Sequence, residues 1–188
     1  MHGPPLAGWL LVALGAATGT YCLAHWLTAP AGARWGAGSE ALLGWGMALM
    51  AVPAGVLDQH PWGPPLYAVV FGAAGAGALL PVCRGRPRRS RPHHVVEAWT
   101  MAYMGAAMLQ GSGAGHAGHP GHPSAAGLPL LTGALLLYFT GYALRSGVRL
   151  VPVAATGADS AAWPRRPELT DACRLAMATG MCAMLLTL

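Results

Sequence analysis

The chain has 188 residues, 54% of them apolar and only 9% charged, with a formal net charge of +5. So few charges cannot solvate a globular surface of this size, which excludes an ordinary water-soluble domain and predicts an all-α integral membrane protein. Charge gives no reason to expect a nucleic-acid partner, because Arg84, Arg86, Arg88, Arg89 and Arg91 crowd one short loop, where membrane orientation and anionic lipid account for them.

Six apolar segments are predicted, at about 6–29, 39–57, 64–83, 94–110, 128–147 and 169–188. Each approaches the roughly 20 residues that cross the hydrocarbon of a bilayer as a helix, and the fourth is the shortest fit. All basic residues other than histidine are Arg; with so much Ala, Gly and Pro, the composition reads as that of a high-GC bacterium. No cationic stretch or small-residue cleavage site marks a leader, so the first segment reads as a retained span.

In the first span, Gly15 and Gly19 allow close approach of a neighbouring backbone, since lipid gives no hydrophobic drive for helix association. Cys22 and His25 lie three apart on one face near its end, either as a thiol and imidazole donor or as a small core residue and an interfacial histidine. The second span places Glu40, Met47 and Met50 within one sector, and Pro53 is expected to kink it. The third, with Gly72, Gly75 and Gly77, reads as a packing partner.

The fourth span follows the Arg-rich loop 84–93 and is the most informative. His94, Glu97, Met101, Met104 and Met108 share one face, with His93 at its edge, so imidazole and carboxylate give way to thioether along the helix. Glu97 and Glu40 are expected to face the interior or the headgroup boundary, because a charge in a span costs about 2.5–3.5 kcal/mol on insertion scales. The loop 111–127 carries His116, His119 and His122. An extended form spaces those imidazoles too widely to share an ion, so the loop reads as a weak metal-capture segment or as a plain connection. The sixth span places Cys173, Met177, Met181 and Met184 on one face. No cysteine pairing reads as a disulfide framework.

Arg34, the 84–91 cluster, and Arg145, Arg149, Arg165 and Arg166 fall in the first, third and fifth loops. The excess of Arg keeps these loops in the cytoplasm and puts both termini and the histidine loop outside. One transmembrane domain, 1–188, is therefore predicted, as three helical hairpins in series over about 6–57, 64–110 and 128–188, with the methionine stripes confined to the even helices.

The histidine-led fourth span with its MAYM string, together with the closing stretch ACRLAMATGMCAMLLTL, resembles the actinobacterial membrane proteins grouped as domain of unknown function 5134. The resemblance covers most of the chain and implies a histidine-led methionine helix and a terminal methionine helix. It singles out His94, Met101 and Met104, then Met177, Met181 and Met184, and implies no activity.

Thioethers are soft ligands, so stripes facing one another inside a membrane predict Cu(I) handling or transport, with copper as a metal-homeostasis cargo. The expected metal set is His94, Glu97, Met101, Met104, Met108, Met47, Met50, Met177, Met181 and Met184. Two other readings stand beside it: a metal-free interaction or sensory subunit whose methionines are adaptable core, and a His/Met-ligated haem protein. An enzyme is not expected, as no Cys-x-x-Cys-His, Gly-x-Ser-x-Gly or His-Glu-x-x-His string occurs. The expected location is the plasma membrane, multi-pass, with a protein partner or homo-oligomer left open.

Overall fold

A computed structural model of the chain describes residues 5–30, 34–83, 91–113, 127–155 and 167–188. Among these are six helices and no strand: α1 (Pro5–Thr28), α2 (Arg34–Met50), α3 (Gly63–Cys83), α4 (Arg91–Gly113), α5 (Pro129–Ala155) and α6 (Pro167–Leu185). Every helix but α2 opens with proline in its first turn, where the missing N–H costs nothing and the fixed φ already suits a helix.

Three helices, α2, α4 and α5, differ in extent from expectation. Helix α2 starts five residues before the expected Ser39 and stops at Met50, so Pro53 lies in the turn that follows and kinks no helix. The ring clashes with a preceding helical turn and biases Val52 away from the α region. The Ala51 N–H still donates to the Met47 carbonyl at 3.0 Å, closing the last turn. Helix α4 is longer than expected at 23 residues, beginning at Arg91. Helix α5 runs to Ala155, so Arg145 and Arg149 belong to that helix and not to a loop.

Two helices, Leu6–Thr28 and Gly63–Leu80, are long and apolar enough to cross a membrane. Only 22% and 28% of their apolar windows are buried, unlike the core helix of a soluble protein. Leu6, Leu10 and Leu27 on the first, and Leu66, Val69 and Leu80 on the second, are exposed.

The chain divides into two compact units, one built on residues 53–133 and the other on 2–52 with 134–187. In the first, α3 and α4 pack antiparallel. A Cβ on Gly105 would lie 2.9 Å from the Ala68 amide nitrogen, and one on Gly75 would lie 2.9 Å from the Trp99 indole nitrogen, so glycine sets how closely the pair approaches. The Leu128 N–H donates to the Tyr103 hydroxyl at 2.8 Å, and that hydroxyl shares a 2.7 Å hydrogen bond with Thr132, tying α4 to the start of α5.

In the second unit, α1 and α2 form an antiparallel pair whose backbones meet at Gly15, Gly19 and Gly44. A Cβ on Gly44 would lie 2.7 Å from the Gly19 Cα, and one on Gly15 would lie 2.7 Å from the Ala48 nitrogen. Helix α6 lies mainly against α1 and also touches α2. It meets α5 through the Thr140 hydroxyl and Cys182 sulfur, 3.8 Å apart. The sixth helix thus leans on the first hairpin.

Candidate metal centre

In the α3–α4 unit, α4 carries the histidine-led face. Glu97 has no exposed surface. Its Oε2 lies 3.0 Å from His94 Nδ1 in a hydrogen bond, and its Oε1 lies 3.0 Å from His93 Nε2 at ion-pair distance. The spacing produces this: at i+3 and i+4 one carboxylate spans two imidazoles from the preceding turn. A carboxylate on Nδ1 fixes the tautomer and orientation of an imidazole, the arrangement typical behind a metal-ligating histidine. Further along the helix Met101 and Met104 are buried, and Met108 is half-buried.

In the α1–α2–α6 unit, Met47, Met50, Met177, Met181 and Met184 are buried. A Cβ on Gly180 would lie 3.3 Å from the Met47 sulfur, so the thioether of α2 rests on the backbone of α6. One end of this stripe holds an ion pair between a buried carboxylate and a half-buried guanidinium. Both Nε and Nη2 of Arg174 donate to Glu40 Oε1 at 3.2 Å, and the Cys22 thiol lies 3.8 Å from Glu40 Oε2. Asp171 adds a looser contact to Arg174 at 3.7 Å. The register of α1 against α6 brings Cys22 and Cys173 to the same level, and Cys22, Cys173 and Cys182 are free thiols. The His25 Nδ1 is buried with no hydrogen-bond partner among the described residues.

Sequence reasoning missed Arg174, although the signal was there. On a helical wheel it falls about 20° from Met181, within the methionine sector, and a guanidinium inside an apolar helix needs an interior partner. The Glu40–Arg174 pair also exposes an internal repeat. Glu40, Met47 and Met50 have the same spacing as His94, Met101 and Met104, and as Arg174, Met181 and Met184. Each set is a polar group, then two turns on, methionines three apart, with Gly46, Thr100 or Gly180 just before the first. Within α2 and α6 the repeat is physical: the helices run parallel, with Glu40 beside Arg174 and Met47 beside Gly180.

Among the described residues no group of three or more His, Cys, Asp or Glu side chains is arranged to hold a metal ion. The candidate ligands brought inside are therefore chiefly thioethers. His116, His119 and His122 lie outside the described residues.

No curated protein and no solved structure matches the chain. The profile of one family, described as a domain of unknown function (DUF5134), matches residues 32–188, beginning after α1 and covering everything that follows. With most of its length matched, the chain belongs to the DUF5134 family.

Proposed function

We propose that the protein is a multi-pass membrane protein of the plasma membrane that binds Cu(I) through buried methionine thioethers and passes it along or across the bilayer. Its six helices of 17 to 27 residues measure about 26–40 Å at 1.5 Å per residue, enough to span as a bundle with both termini outside.

One observation carries the reading. Met47, Met50, Met101, Met104, Met177, Met181 and Met184 are each no more than 4% exposed, while Leu42, Trp45, Leu49, Trp99 and Leu109 on α2 and α4 face outward. An interior chosen for packing alone favours leucine, whose rotamers are better defined. Here the polarizable sulfur goes inside, beside alanine and glycine. Thioethers are neutral and soft, so they favour Cu(I) over the harder divalent ions. In this scheme His94 is the imidazole ligand, and Glu97, with both oxygens engaged by His93 and His94, orients it instead of binding metal directly.

Replacing Met101, Met104, Met177 and Met181 with leucine tests the proposal. Leucine is close to methionine in volume, so the fold is disturbed by less than about 1.5 kcal/mol per site. The purified variant should keep its gel-filtration profile and lose thioether-bound copper. Unchanged copper stoichiometry refutes the proposal, and a Soret band in the parent protein would replace it with haem binding.

A further inference from the structure

The methionine stripe of the α1–α2–α6 unit ends on a pair of thiols. Met177 lies four residues, one turn, from Cys173 on the same helix, and α1 carries Cys22 at the same end, where its thiol meets Glu40. The register of the two helices agrees. Leu14 of α1 lies against Gly180 of α6, and the helices are antiparallel, so eight residues on in α1 and seven back in α6 fall Cys22 and Cys173. The carboxylate of Glu40 gives a third bearing: it touches the Cys22 thiol through Oε2 and the guanidinium of Arg174, the residue after Cys173, through Oε1.

We propose that Cys22 and Cys173 form a two-coordinate Cu(I) site at the Glu40–Arg174 end of the α1–α2–α6 unit, continuing the methionine stripe as its tighter-binding terminus.

Two thiolates suffice for Cu(I), whereas structural zinc takes four ligands, and among the described residues no group of three or more His, Cys, Asp or Glu is arranged to hold a metal ion. The charges balance. Both thiols release their protons and two Cu–S bonds form with no change in oxidation state, leaving one negative charge on the complex. Arg174 stands beside it with a positive charge now shared with Glu40. A second, independent feature marks this end of the helix: His25, one turn beyond Cys22, keeps a buried Nδ1 with no hydrogen-bond partner among the described residues, which is costly unless a ligand or water occupies it. The site draws Cys22 from α1, ahead of the stretch that the family profile matches.

The inference rests on the copper reading above but is tested separately, because thiolate–Cu(I) charge transfer absorbs in the ultraviolet and thioether–Cu(I) binding does not mimic it. The full chain carrying Cys83→Ser and Cys182→Ser is titrated anaerobically with Cu(I) in detergent. The band should grow to a plateau at about one thiolate-bound copper per chain. It should vanish when Cys22→Ser or Cys173→Ala is added, and persist in the four-methionine variant. Cys173 is only partly buried, so Cys173→Ala remains informative even where Cys22→Ser fails to fold. A band that never appears, or that survives Cys173→Ala, overturns the thiol site and leaves the methionine proposal standing. A band that persists while the methionine variant loses no copper does the reverse.

Discussion

The half-buried pair Glu40–Arg174 ties α2 to α6. Glu40 is nearly enclosed, so removing the Arg174 guanidinium takes away the positive charge that faces its carboxylate. Arg174→Ala is expected to lower resistance to denaturation by about 3 kcal/mol, less whatever solvent reaches the partly exposed guanidinium position. The double variant Glu40→Leu/Arg174→Met leaves no uncompensated charge and should recover most of that loss. Unfolding curves in detergent check both, and equal losses in the single and double variants would show that the pair is not what holds the helices together. At this scale the sequence was partly legible. The wheel placed Glu40, Glu97 and the methionines on inward faces because all lie on helices of regular period. It did not join Cys22 to Cys173 or Glu40 to Arg174, because those pairings depend on which helix lies beside which.

Helix pairing here depends on where the backbone is bare. Gly15, Gly19 and Gly44 let α1 and α2 approach until a Cβ on any of them would strike backbone or the Trp45 indole. Gly44→Ala therefore forces the helices apart, at an expected cost of about 1–3 kcal/mol. Gly72→Ala, on an α3 surface with nothing within 4 Å, should be neutral or slightly stabilising through the better helix propensity of alanine. Thermal scans of the two variants decide the matter; comparable shifts would mean that the α1–α2 spacing is not set by Gly44. Elements were legible wherever composition changed sharply, as at the proline-led starts. They were misjudged where a polar residue sits inside a helix. Apolarity begins at Ser39 although helix α2 begins at Arg34, and the polarity of Arg145 and Arg149 suggests a loop although α5 carries them.

At the scale of the whole molecule, two of the described helices satisfy the length and apolarity of a span, while α2 and α4 carry buried polar groups, Glu40 on the one and His94, Glu97 and Thr100 on the other. Ionisable groups inside a helix lower its mean apolarity, and a membrane helix that handles an ion needs such groups. The six-span reading predicts that alkaline phosphatase fused after Leu188 is active, because it is exported, and that fusion within 84–90 is inactive. The reverse pattern would invert the topology, and activity at both sites would break it. The most direct measurement on the central claim is elemental analysis of the unaltered protein, purified in detergent under reducing conditions from copper-supplied cells. The account predicts copper, in the Cu(I) state and in preference to zinc, retained through gel filtration. Protein that is copper-free after such growth, and that takes up none when Cu(I) is offered, would contradict it.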